Sequence, residues 1–150
     1  GGCEVVAGCD IVIASDRALF GQPEIKLGVF PPVGVVALPR IIGDKRAREL
    51  LLTGDLIDAA EAGRLGLANY VVSPGQLAAK TQEILSKLRE LSAQSLEATV
   101  RSLALARGRS FDEGLAKVED FYLSELMKTV DANEGIQAFM EKRKPFWQNR

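Results

Sequence analysis

Glu4 and Glu24 stand twenty positions apart in GGCEVVAGCDIVIASDRALFGQPEIKLGVFPP, each in an apolar setting punctuated by glycine and proline. Two carboxylates held in one cleft can divide general acid and general base work between them. Gly1-Gly2-Cys3-Glu4 reads as a tight turn opening a short helix. Exposed N–H groups at such a start suit a developing oxyanion. No other stretch offers comparable chemistry. Taken singly, each glutamate keeps a plainer reading. Glu4 could be a helix-start carboxylate facing the dipole, and Glu24 half of a loop salt bridge.

Composition narrows the chemistry further. The chain has no histidine, which excludes a Ser-His-Asp or Cys-His nucleophile and any histidine metal site within it; no metal site is expected. Cys3 and Cys9 form neither a CxxC motif nor a disulfide framework. Buried thiols in a reducing compartment, hence a cytoplasmic protein, are the expectation. A net charge of -1 gives no general attraction to nucleic acid. KRAR (45–48) and EKRK (141–144) are local basic runs, readable as solvated helix faces or as phosphate contacts. Asp10, Asp16 and Arg17 break the N-terminal apolar run, so no membrane span is expected. The chain lacks both an initiator Met and a basic leader. The expectation is a chain cut or taken from a longer one.

The elements that must position the glutamates are short. Ile11–Ala14 reads as a strand buried on both faces, and Ala18–Phe20 as a second strand ended by Gly21 and Pro23. Pro31, Pro32 and Pro39 predict a rigid loop closed by Gly43. Helical signals follow. Asp44 is placed to cap a helix stopped by Gly54, and Asp58 with Glu61 predicts a helix stopped near Gly66. Tyr70–Val72 is a brief extended piece. Helical apolar spacing then runs through Leu77–Leu91 and Leu96–Ala104. Ser110 with Glu113 predicts a capping box, and Asp131 with Glu134 the start of a last helix. Few strands here could pair with one another, so the missing neighbours are expected upstream of Gly1.

GGCEVVAGCDIVIAS, ALFGQPEIKLGVFP, LPRIIG, ARELLLTGDLIDAAEAGRLGLANYVV and EGIQAFMEKRKPF resemble, in order, the enoyl-CoA hydratase/isomerase family, the crotonases. The resemblance covers essentially the whole chain. It implies an α/β fold: residues 1–70 as the C-terminal part of a crotonase ββα-spiral core, and 71–150 as a helical oligomerisation region. It also implies an acyl-CoA thioester substrate whose enolate is held by two backbone N–H groups. Glu4 and Glu24 correspond to the family's two water-splitting glutamates and Gly1 to one oxyanion donor. The other donor would come from outside the chain. Pro23 and Leu27 would line the acyl pocket. Coenzyme A enters as part of the substrate, with no separate cofactor. The family's tail helix reaches CoA at a neighbouring subunit, which makes Phe139 and Lys142 candidates. A homo-oligomer, trimer or dimer of trimers, is implied.

One loop departs from the family pattern. Pro31-Pro32-Val33-Gly34-Val35-Val36-Ala37 replaces a PGxGG-type loop and a more polar run. Pro32 has no N–H to offer an attacking water, and three valines make the pocket floor apolar. This loop resembles the branch hydrating cyclic dienoyl-CoA thioesters, of the cyclohexa-1,5-diene-1-carbonyl-CoA hydratase type. The first reading is an enzyme that adds water to an enoyl- or dienoyl-CoA. The alternatives are an isomerase of the same family and an inactive remnant acting as an oligomerisation partner. Residues 1–150 alone are expected to lack substantial hydratase activity, because a two-donor oxyanion hole would lack one donor.

Overall fold

The computed structural model describes all 150 residues. They form two compact units, Gly1–Glu83 and Ile84–Arg150. The first unit opens with α1 (Gly2–Ala7), β1 (Ile13–Ser15), β2 (Leu19–Gly21) and a 3-10 turn over Pro23–Leu27. It continues through α2 (Pro32–Ile42), α3 (Asp44–Thr53), β3 (Leu56–Asp58), α4 (Ala59–Arg64) and β4 (Tyr70–Val72). The division falls within α5 (Leu77–Arg89). The second unit contains α6 (Ala93–Ala106), α7 (Phe111–Ser124), α8 (Val130–Met140) and the tail after them.

Each strand finds one partner inside the chain, a pairing the sequence reading did not make, in two separate two-stranded sheets. β1 pairs in parallel with β4, Ile13 opposite Tyr70. The Asn69 side chain extends this pairing by accepting from the Val12 N–H at 2.7 Å. β2 pairs antiparallel with β3, Phe20 opposite Ile57. Such pairings join residues 35 to 57 positions apart, which periodicity along the chain does not report. Around them lies a core of Ala14, Phe20, Leu38, Ile42, Ala47, Leu50, Ala59, Ala62, Leu67 and Ala68. Cys3, Val6 and Ala7 of α1 pack against it.

The proline-rich segment is a helix rather than the rigid loop expected. Pro32 occupies the first helical position, where a fixed φ suits the helix and the missing N–H costs nothing. Pro39 lies inside α2 and removes one internal hydrogen bond, a loss of roughly 3 kcal/mol in an isolated helix. Burial of Gly34, Leu38 and Ile42 along one face outweighs it. Gly43, not Asp44, occupies the cap position of α3; Asp44 is its first residue and pairs with Arg48 at 2.7 Å. Gly54 ends α3 with φ +67, as its sequence position predicts. A Cβ there would lie 2.9 Å from Ile25 Cγ2, so α3 closes directly against the turn that carries Glu24.

In the second unit, Ser110 and Glu113 form the expected capping box of α7. Asp131 lies in the first turn of α8, capped by Thr129. It is buried, with 1% of its surface exposed. It accepts from Ser92 Oγ at 2.6 Å and from the Gln148 N–H at 2.7 Å, and takes the Asn149 N–H as well. Glu134 takes the Arg143 guanidinium on both oxygens and accepts from the Phe146 N–H at 2.8 Å. The Trp147 indole N–H donates to the Glu90 carbonyl at 2.8 Å. Two carboxylates thus pin the last residues of the chain.

The Arg143 hydrogen bonds and the Phe146 N–H take Glu134 from 4.5 to about 2. A carboxylate whose folded pKa is depressed stabilises the fold above its unfolded value, and that stabilisation is lost as pH falls through the folded value. The tail is therefore expected to loosen between about pH 4.5 and 2. Trp147, the single tryptophan, reports it directly. Its fluorescence should change across this window in the wild type, while Glu134→Gln, with no carboxylate to titrate there, should already show the loosened signal above it. A signal unchanged by either would count against the clamp.

Candidate active site

Glu4 projects from α1 and Glu24 from the 3-10 turn after β2. Both side chains are partly buried. α2 supplies the local scaffold between them. Its first N–H groups have no partner within the helix, and prolines at 31 and 32 remove two of them. Gly34, two residues further on, donates its N–H to Glu4 Oε1 at 2.9 Å. A carboxylate there also faces the positive end of the helix dipole.

Glu24 is held from a different side. Gln22, only 1% exposed, turns its amide nitrogen toward both carboxylate oxygens, at 3.2 and 3.3 Å. The end of the same amide lies against Gly34, where a Cβ would sit 2.8 Å away. Glu4, Gly34, Gln22 and Glu24 thus form one continuous cluster. Neither Gln22 nor Gly34 stands out in the sequence as a site residue. The available signal was a polar residue at the end of an apolar strand, followed twelve positions later by glycine among valines.

Cys3 lies beside the cluster. Burial pushes its thiol up, a hydrogen bond with the Gly21 backbone pulls it partly back, and the Glu24 and Glu4 charges add to the rise. Both carboxylates therefore act on one sulfur. Cys9 is exposed. Because the thiolate is the reactive form, alkylation at about pH 8 should label Cys9 at least ~10-fold faster than Cys3. Timed labelling with peptide mapping measures the ratio; equal rates would contradict this placement of Cys3.

The other predicted site residues divide between the units. Gly1 caps α1, its carbonyl accepting from the Val5 N–H at 3.1 Å, with open space where a Cβ would be. Pro23 opens the turn that carries Glu24, and Leu27 ends it with 82% of its surface exposed. Pro32 is exposed at the start of α2. These four positions, with Glu4 and Glu24, belong to the first unit. Phe139 and Lys142 belong to the second. Phe139 is 84% exposed on α8, and Lys142 follows that helix with φ +54. Of the basic runs, Arg46 pairs with Glu49 and Glu61, Arg48 with Asp44, and Arg143 with Glu134 and Glu141. No helix is long and apolar enough to cross a membrane.

Known proteins place this arrangement. A crystallised enoyl-CoA hydratase subunit from Geobacillus kaustophilus superposes with a TM-score of 0.92 at 39% identity, over 100% of this chain and 58% of that one. An enoyl-CoA hydratase structure from Mycobacterium tuberculosis gives 0.91 at 33%, over 100% and 60%. These likenesses define a crotonase fold. The family model for enoyl-CoA hydratase/isomerase matches residues 1–150, and the chain belongs to that family. Among curated relatives, a probable enoyl-CoA hydratase of Mycobacterium bovis is 40% identical over 100% of this chain. The cyclohexa-1,5-dienecarbonyl-CoA hydratase of Thauera aromatica is 41% identical over the same share. The chain spans 58% of the length of each.

Proposed function

We propose that this chain carries the two-glutamate half of a hydratase site that adds water across the α,β-double bond of an enoyl-CoA thioester. The observation that carries the reading is the cluster itself. Gly34 N–H holds one oxygen of Glu4 and the Gln22 amide faces Glu24, so two carboxylates from distant positions are tied into one cluster through the Gln22–Gly34 contact. Each keeps lone pairs free for a water molecule. Between them they accept a proton from that water as its oxygen bonds to the β-carbon, and return a proton to the α-carbon. The electron pair of the double bond passes through an enolate whose oxygen is stabilised by backbone N–H groups, with Gly1 as one donor.

Pro23, Leu27 and Pro32 would border the acyl group, and Phe139 and Lys142 would meet the CoA of a neighbouring subunit. The reaction needs only proton transfer and oxyanion stabilisation, so coenzyme A within the substrate is the sole cofactor moiety invoked. A homo-oligomer, trimer or dimer of trimers, in the cytoplasm is the assembly and setting that go with this reading. The exposed apolar residues after Glu24 (Leu27, Val29, Phe30, Val33 and Val36), together with the Thauera aromatica relative, favour a cyclic dienoyl group over a short linear one.

The test joins residues 1–150 to the matching remainder of the Geobacillus kaustophilus hydratase and assays crotonyl-CoA and a cyclic dienoyl-CoA, with products weighed by mass spectrometry. A product heavier by one water is expected, with higher kcat/KM for the cyclic substrate. A product of unchanged mass would identify an isomerase instead. A clear preference for crotonyl-CoA would overturn the acyl assignment.

A further inference from the structure

Gln22 is among the largest fully buried side chains of the molecule. A buried amide is costly unless both its ends are satisfied, and an apolar side chain would fill the same volume without that cost. Its nitrogen faces both Glu24 oxygens. Its other face meets Gly34 so closely that a Cβ there would lie 2.8 Å from the amide end, 3.1 Å from Cδ and 3.1 Å from Pro31 Cγ. Real Cβ atoms do not occupy such a position without a shift. The N–H of that same Gly34 holds Glu4.

From this geometry we propose that Gln22 is a positioning residue that couples the two glutamates. It orients Glu24 by hydrogen bonding and sets the position of the Gly34 backbone, and hence of Glu4, by contact. Gly34 is the complementary half of the device, because only a residue without a side chain lets the start of α2 and the Gln22 amide share this space. The proposal rests on the hydratase reading for its catalytic consequence. Its structural core, the contact between Gln22 and Gly34, does not depend on that reading.

Two measurements test it. In the joined hydratase, Gln22→Met keeps length and approximate volume but loses the donor. A hydrogen bond to a charged group that is also needed in the transition state predicts a kcat lower by ~10–10²-fold with KM nearly unchanged. A role confined to packing would leave kcat at the wild-type value, and that result, with Glu24→Gln still impaired, overturns the proposal. The second measurement needs no activity and uses the 150-residue chain. Urea unfolding is compared for Gly34→Ala, Gln22→Ala and the double variant. Shortening Gln22 removes its share of the collision and leaves only the Pro31 contact, so Gly34→Ala should shift the midpoint clearly less in the Gln22→Ala background. Additive shifts would overturn the contact. Absence of hydration in the unsubstituted joined protein would sink the hydratase reading and leave the unfolding cycle to decide on Gln22.

Discussion

Glu24→Gln and Glu4→Gln, each introduced into the joined hydratase, should lower kcat by ~10²–10⁴-fold while changing KM for the enoyl-CoA little. The substitution is chosen for its shape. A glutamine at position 4 still offers a carbonyl oxygen to the Gly34 N–H, so the α1–α2 contact survives. What disappears is the ability to take up and return a proton. General acid–base groups act on the transition state more than on the bound substrate, so the loss belongs in kcat. Steady-state kinetics on crotonyl-CoA decides it. A rise in KM with kcat unchanged in both variants would reassign these residues to substrate binding.

Asp131→Ala should have the largest effect on folding in the second unit. The carboxylate is buried and accepts from Ser92, Gln148 and Asn149. Burial opposes its charge, and the Ser92, Gln148 and Asn149 hydrogen bonds outweigh burial to hold its pKa below the usual carboxylate range. Alanine would leave the Ser92 hydroxyl and two backbone N–H groups without their acceptor, the costly half of breaking a buried hydrogen-bonded group. A fall in Tm on the order of 10 °C is expected, together with loss of the native Trp147 fluorescence. Serine at 92 replaced by alanine should cost less, since it removes one of the donors and leaves the others paired. A variant at position 131 with wild-type melting and fluorescence would show that the tail is not held there.

Local chemistry was legible in the sequence, and long-range geometry was not. The Ser110–Glu113 capping box and the Gly54 stop are written within a few residues and appear as read. The family motifs singled out Glu4 and Glu24, which the structure links through Gly34 and Gln22. The partners of β1 and β2 were missed because Leu56–Asp58 is too short to show an alternating pattern, and because pairing with residues 70–72 leaves no local trace. α2 was missed because Pro39 breaks the propensity rule, while the burial of Leu38 and Ile42 that overrides it is tertiary. Asp131 read as a helix-start acid. Its larger role depends on residues 148 and 149 folding back, which its own neighbours do not signal. Gln22 and Gly34 gain meaning only from each other.

The central claim is that Glu4 and Glu24 work as one unit, and a double-mutant cycle on turnover tests it most directly. Rates of enoyl-CoA hydration are measured for the joined wild type, Glu4→Gln, Glu24→Gln and the double variant. Groups that act together on one water fail together, so the double variant should be no more than about 10-fold slower than the worse single variant. Losses that multiply, each substitution retaining its full effect in the presence of the other, would mean that the two carboxylates act independently and would contradict the site described for this chain.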